Sequence, residues 1–568
     1  MAKKMNLVFA AMLLITFGFC ATYAFSAVTG KAKGAPVVKP TNPAKVEACL
    51  SCHPTVKKLH NRGGHKNVNC ASCHETPAAH VLKPAETARP KTEFSHESCG
   101  QCHVNEFKSM HSDKYHKEWT KRNQNMSYLL WTDPGIGTFS HIQGYLPRYH
   151  VTVLYDLAVN RTAGRFQFKD GLYGWNKIGG RLWDTIYDAY PEDGNEIKTH
   201  IPRTAWRPHK GGPNFNSSIC MTCKTGEQIL DWPYMGEPSE NAKFNRATPP
   251  YEVLKAVNYG ITCNICHDPH SAEPRVIRDS FIRMLIDPEF KDNVYQSNPQ
   301  KTKIEVIDMG ERGFNRKIAI LEKYDSKLQC GQCHLGSTTA GAFDVKTGKF
   351  LSSSQVPGMA LNCLMPPEEF INWYKARGWY VGKDPETGAL LYGTAHPHIE
   401  LVTLSKHGKA GISCTDCHYG TEKDKETKRI YKSHQASFPT YKVQQTCLNA
   451  GCHGKGSKQN WTEEDALYSV KAIQHLQRKR LLELEYQLNR LIAGLVTAQR
   501  QGIDESVVQK AKEAESKAHF MHNYWSTDYS NGMHNPELSE RTLTKAIQEA
   551  KSSYDELNKA LTGKAAGK

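Results

Sequence analysis

Eight times along this 568-residue chain two cysteines stand a few residues apart, and after seven of those pairs the next residue is histidine. Six have the form Cys-x-x-Cys-His: Cys49, Cys52 and His53; Cys70, Cys73 and His74; Cys99, Cys102 and His103; Cys263, Cys266 and His267; Cys330, Cys333 and His334; Cys414, Cys417 and His418. A seventh is stretched by two residues, with Cys447, Cys452 and His453, and an eighth, Cys220 and Cys223, is followed by Lys224. The pattern is the c-type haem attachment signature, in which two thiols bond the porphyrin vinyl groups and the adjacent imidazole ligates the iron. Zinc ribbons need paired Cys-x-x-Cys units but require no histidine after each, and disulfides favour no such tripeptide spacing. The series therefore predicts eight covalent haems. These pairs use 16 of the 18 cysteines; Cys363, outside the pairs, reads as a buried spare thiol.

Second axial ligands are in supply, since 19 of the 26 histidines lie outside the motifs. Those near haem motifs include His60, His65, His80, His96, His111 and His116 early, then His270, His407, His434 and His534. Seven bis-histidine haems are expected from this stock. Lys224 is the exception. A neutral amine is a σ-donor without an imidazole ring, so it changes the iron's electronics and leaves the opposite face for substrate. The alternative is a haem ligated by another histidine, with Lys224 in solvent.

The N-terminus carries Lys3 and Lys4, an apolar run from Leu7 and small residues at Ser26 and Ala27, the layout of a secretory signal peptide over 1–27. Export to a periplasmic or equivalent compartment is expected, with a retained N-terminal anchor as the alternative. Net charge is +16, but signal removal and haem propionates bring it to about +6, and no basic run forms a nucleic-acid arm. Hydrophobic residues make up only 39% of the chain, so porphyrins must fill much of the core.

Residues 28–44 read as a Lys/Pro/Ala linker, and 45–117 as a three-haem segment too dense for independent secondary structure. Residues 118–453 form the five-haem catalytic domain, with a cysteine-free, pocket-walling insert at 118–219. From 454 to 568 a long-helix region is expected. Thr462 with Asp465 caps a helix in which Leu481, Leu484, Leu488, Leu491 and Leu495 form a stripe, Gly502 ends it, and two more helices follow from about Asp504 and after Pro536. The stripe serves either packing within the chain or a homo-oligomer interface. The fold class is a mainly α multihaem cytochrome c, with a haem-filled core and few short strands.

From about residue 200 onward the chain resembles the pentahaem ammonia-forming cytochrome c nitrite reductases, through the Cys-x-x-Cys-Lys motif, "TAHPHIELVTLSKHGKAGISCTDCH", "YKSHQ" and "NGMHNPE". With three haem motifs in front it resembles the octahaem nitrite reductases and, more distantly, the hydroxylamine oxidoreductases. The resemblance implies reduction of a small nitrogen oxyanion, nitrite to ammonia first, at the Lys224 haem. It makes Arg203 in "RTAWRPHKGGP" the substrate-holding arginine, His396 the active-site histidine, and His407, His434 and His534 distal ligands. Arg203 could instead pair a propionate, and Arg207 is its nearest competitor. Two departures stand out. Ser337 occupies the place of the family's catalytic tyrosine, and Gly393 and Ala395 replace calcium ligands, so calcium is not expected. Hydroxylamine or another nitrogen or sulfur oxyanion is the rival substrate, and a pure electron-transfer cytochrome the rival class. Electrons would come from a redox donor protein or a quinol-linked cytochrome.

Overall fold

The computed structural model describes residues 46–110 and 261–566, apart from short stretches within those ranges. The signal, the linker, the 118–219 insert, Arg203, Arg207, Cys220, Cys223, Lys224, His111, His116, Ser337, Cys363 and Ala395 lie outside the described residues.

The segment with the first three haem motifs is helical over its described residues, where no regular structure was expected. It forms α1 (Val46–Cys52), α2 (Pro54–Arg62), α3 (Ala78–Leu82), α4 (His96–Gly100) and α5 (Val104–Met110). The haem motifs themselves are the cause. His53, His74 and His103 each donate their backbone N–H to the carbonyl of the first motif cysteine, Cys49, Cys70 and Cys99, at 3.1, 2.9 and 3.0 Å. That is the i to i−4 bond of an α-turn, so each motif is one closed turn that sets two thiols and an imidazole on a common side.

This segment packs on a three-stranded antiparallel sheet of β1 (Arg275–Val276), β2 (Ile304–Glu311) and β3 (Asn315–Leu321), in the order β1-β3-β2. Leu59 of α2 is buried with Ile261, Ile265, Ile277, Ile307, Ile318 and Ile320. Around that apolar contact Lys58 Nζ reaches Glu305 at 2.6 Å and Arg62 Nε reaches Glu273 at 2.7 Å. Gly64 N–H donates to Ser271 O at 2.8 Å, and a Cβ on Gly63 would lie 1.8 Å from that same oxygen, so only glycine permits the approach.

Beyond the sheet the chain runs through α6 (Asp279–Ile286), α7 (Ser326–Gly331) and α8 (Pro367–Ala376), then α9 (His398–Leu404), α10 (Lys406–Lys409) and α11 (Cys414–His418). Among these lie short strands, β4 (Ala342–Asp344), β5 (Phe350–Leu351), β6 (Trp379–Tyr380), β7 (Gly382–Lys383), β8 (Leu390–Leu391), β9 (Thr421–Lys423) and β10 (Ile430–Lys432). They are paired only in twos and threes, as the fold class requires.

Three helices complete the fold: α12 (Glu463–Gln501), α13 (Glu505–Ser526) and α14 (Pro536–Ala566). The capping signals act as read. Thr462 accepts from Asp465 N–H while the Asp465 carboxylate accepts from Thr462 N–H, and Gly502 closes α12 in the left-handed region at φ 61°. All five leucines of the stripe are buried in one cluster with Leu543, Ile547, Ala550 and Leu557 of α14 and Trp525 of α13. Each contributes about 1.5–3 kcal/mol by leaving water. The stripe is therefore spent inside the chain, which removes it as a subunit interface. Gly494 lets α12 and α14 close up, since a Cβ there would meet Leu557 at 3.2 Å and Tyr554 at 3.3 Å.

The helical unit also holds the segment around His396. Asn523 Oδ1 on α13 accepts Thr394 N–H at 2.9 Å, and Asn535 Nδ2 donates to Leu401 O on α9 at 3.1 Å. Phe370 of α8 packs against Phe520 and Tyr524 of α13.

Candidate functional site

Seven of the eight haem motifs fall among the described residues. His267 and His334 repeat the turn-closing bond, to Cys263 O at 3.0 Å and Cys330 O at 2.8 Å. Cys414–His418 is itself a helical turn. The stretched motif closes in the same way. His453 N–H reaches Cys447 O at 3.0 Å although two further residues intervene, and Gly451, at φ 83°, takes up the bulge.

Histidine rings are paired across these turns. His65 faces His103 with ring centroids 6.0 Å apart, His74 faces His270 at 6.3 Å, His267 faces His434 at 6.4 Å, His407 faces His453 at 5.9 Å, and His418 faces His534 at 6.4 Å. Two imidazoles bonded to one metal through nitrogens at about 2.0 Å, each nitrogen about 1.1 Å from its ring centre, have centroids roughly 6 Å apart. Each of these five pairs joins a motif histidine to a histidine from elsewhere in the chain, so the spacing fits bis-histidine iron.

The second ring nitrogen agrees. Nδ1 of His65 donates to Pro269 O at 2.7 Å, Nδ1 of His418 to Ser437 O at 3.0 Å, and Nδ1 of His434 to Lys432 O at 3.0 Å. Nδ1 of His74 meets Thr92 Oγ1 at 3.0 Å, and Nδ1 of His534 meets Asp528 Oδ1 at 2.7 Å. Holding Nδ1 fixes tautomer and ring orientation and leaves Nε2 for a metal. His60 does the reverse, donating from Nε2 to Val68 O at 3.0 Å and keeping Nδ1.

Electrostatics favour neutral, ligating imidazoles. Burial, reinforced by His434, pushes His267 down to about 4, and burial also lowers His103, His434 and His453. His534 differs. Burial pulls its pKa down, but the Asp528 carboxylate outweighs that and raises it. Asp528 itself would be raised by burial, yet His534, Ser530 and the Gly532 N–H hold it low.

His396 stands at the edge of this array. Its backbone is left-handed at φ 58°, uncommon for a residue with a side chain, and His398 N–H closes the turn onto His396 O at 2.7 Å. Holding such a conformation costs on the order of 1–3 kcal/mol, supplied here by the anchors at Thr394 and Leu401.

Of the distal histidines read from sequence, the structure brings His65, His407, His434 and His534 to motif partners. His80 lies on α3, half-buried, and His111 is outside the described residues. Sequence reasoning nominated His270, three residues after His267, but missed its partner: it faces His74. It also missed Asp528, His398 and Glu400, which take their roles from what they touch.

A family model described as cytochrome c552 matches residues 198–568. The chain belongs to the cytochrome c552 family. Membership implies covalently bound c-type haem as the cofactor of this cytochrome. It is 24% identical over 387 residues to cytochrome c-552 of Haemophilus influenzae, covering 65% of this chain and 62% of that one. It is 22% identical over 372 residues to the cytochrome c nitrite reductase subunit NrfA of Nitratidesulfovibrio vulgaris, covering 63% and 62%. The chain thus spans about 62% of the length of these curated relatives. A solved catalytic subunit of cytochrome c nitrite reductase from Desulfovibrio desulfuricans, described with two calcium sites, aligns with a TM-score of 0.43 and 19% identity over 60% of this chain and 66% of its own.

Proposed function

We propose that this cytochrome is an exported octahaem oxidoreductase that reduces nitrite to ammonia at the haem attached through Cys220, Cys223 and Lys224. The observation that carries the reading is the family match over 198–568, which spans both that lysine motif and His396, together with the relatives named for nitrite reduction. A haem held there by Cys220, Cys223 and Lys224 would supply electrons and a coordination position for a small anion.

The chain's own residues do the rest. Arg203 holds the oxyanion by charge-assisted hydrogen bonds. His396, fixed by its left-handed backbone and the His398 N–H, passes protons to oxygen as N–O bonds break. The five histidine pairs would hold haems able to relay electrons from a redox donor protein or a quinol-linked cytochrome. Ser337 in the tyrosine's place favours a second substrate, hydroxylamine, reduced at least as readily as nitrite. Calcium is not part of the site, given Gly393 and Ala395. Assembly with a second copy, if it occurs through the C-terminal helices, uses faces other than the leucine stripe.

The test is steady-state reduction of nitrite, hydroxylamine and sulfite by the purified protein with a reduced low-potential dye. Arg203→Ala and His396→Asn should each lower nitrite turnover about 100-fold or more while leaving the low-spin spectrum intact. Wild-type protein that turns over none of the three, with every haem low-spin, is an electron carrier instead. Loss of a low-spin haem in His396→Asn would make His396 a ligand and end the nitrite assignment.

A further inference from the structure

His398 opens α9 two residues after His396 and makes a contact unlike the five described pairs. Its ring stacks on that of His334, the motif histidine after Cys330 and Cys333, with centroids 5.3 Å apart and planes at 24°. The two Nδ1 atoms are 3.2 Å apart, a hydrogen-bond distance that leaves no room for a metal between them. The backbone enforces this approach. Ile399 N–H donates to His334 O at 3.1 Å, and Glu400 Oε1 accepts Gly336 N–H at 2.8 Å, so three consecutive residues of α9 dock on the strand of chain leaving the motif.

We propose that His398 is a positioning residue for the haem carried by Cys330, Cys333 and His334: its ring nitrogen accepts the His334 Nδ1–H, fixing that imidazole and raising its basicity while Nε2 ligates iron. The arrangement matches what Pro269, Ser437, Lys432 and Asp528 do for other ligands through Nδ1, with a side-chain imidazole in place of an oxygen. A neutral imidazole carries one accepting nitrogen beside its one N–H, which is what the contact with His334 Nδ1 requires of His398.

His398 also faces a second haem site. Its ring lies 5.0 Å from that of His534, and nitrogen or oxygen atoms of His398, Asp528 and His534 lie within 4.8 Å of one another. Three such residues could chelate a cation, but His534 already faces His418 and gives its Nδ1 to Asp528. One residue thus joins the partner shells of the His334 and His418 haems, two positions from His396. The inference rests on haem attachment at these motifs and not on nitrite as substrate.

The experiment uses the mature holoprotein with His398→Phe and His398→Gln. Haems are counted by intact mass, and potentials are read by redox titration of the individual low-spin paramagnetic resonance signals. Phenylalanine removes the acceptor, so one haem, with all haems present and low-spin, should become easier to reduce by about tenfold, or ~59 mV for a one-electron couple. Glutamine, which can accept, should stay near wild type. If the phenylalanine chain fails to mature, His398→Met, also without an accepting nitrogen of this kind, is read by the same criterion. The proposal is overturned if no potential moves, if glutamine shifts it as far as phenylalanine, or if a low-spin signal disappears, which would make His398 an axial ligand. A mass showing no haem on Cys330 and Cys333 would instead overturn the haem reading of that motif.

Discussion

Replacing Glu400 by glutamine should remove a large pH dependence of stability centred on the segment that carries His396. Glu400 has no exposed surface, its Oε1 takes the Gly336 N–H at 2.8 Å, and its Oε2 has no hydrogen-bond partner among the described residues. Burial pushes its pKa from 4.5 to about 8, against the pull of backbone N–H groups, including that of Gly336. At about 1.4 kcal/mol per tenfold in acid dissociation, ionising it in the folded chain is harder by on the order of 5 kcal/mol. The sign follows from linkage. Below 4.5 the group is protonated folded and unfolded, so its full contribution is present; between 4.5 and about 8 only the unfolded chain releases the proton, and stability falls as pH rises. Glutamine keeps the volume and the accepting oxygen but has nothing to release. Thermal melts should therefore nearly coincide at the acid end, and Glu400→Gln should melt higher as pH rises, the gap levelling near 8. At about 2 °C per kcal/mol the gap is bounded at on the order of 10 °C. Parallel curves across the range would mean that Glu400 is ionised in the folded protein, and the burial argument would fail.

Removal of His434 by His434→Ala should convert one low-spin haem, that of Cys263 and Cys266, to high-spin without lowering the haem count by mass; an unchanged spectrum would refute the His267–His434 pairing. Leu488→Ala, in a fully buried position of α12, should destabilise the helical unit by about 2.7–5 kcal/mol in denaturant melts, and a cost under about 1 kcal/mol would mean that the helices repack. Intact mass of the mature chain should show eight haems, and a mass fitting seven would remove the stretched Cys447 and Cys452 motif from the series.

What could be read from sequence was what is encoded locally. Thr462, Asp465 and Gly502 bound α12 because capping needs only residues within one turn, and the leucine stripe declares its buried face by period alone. The same locality was underused at the N-terminus, where each Cys-x-x-Cys-His motif closes its own helical turn and so builds short helices even in a dense segment. Partner histidines were harder. His434 reaches His267 and His270 reaches His74 only after distant parts of the chain pack, so spacing could nominate candidates but not match them. His398 and Glu400 carry no motif at all; their chemistry comes from the backbone register that sets α9 against His334 and Gly336.

The distance along the chain between paired imidazoles also dictates an order of assembly. Closing a long loop carries an entropic cost that must be met before the contact rewards it. His74 waits for His270, His267 for His434 and His418 for His534, so a chain emerging from its N-terminus presents the thiols of each of these motifs well before the opposing ligand arrives. Every such haem passes through a stage with one imidazole and an exchangeable sixth position. A chain halted before His534 would hold the haem of Cys414 and Cys417 tethered but incompletely ligated, and redox-active toward adventitious small molecules. Haem attachment in this cytochrome is thus local, whereas capture of the opposing ligand needs distant chain, and for the His418 haem nearly the whole polypeptide.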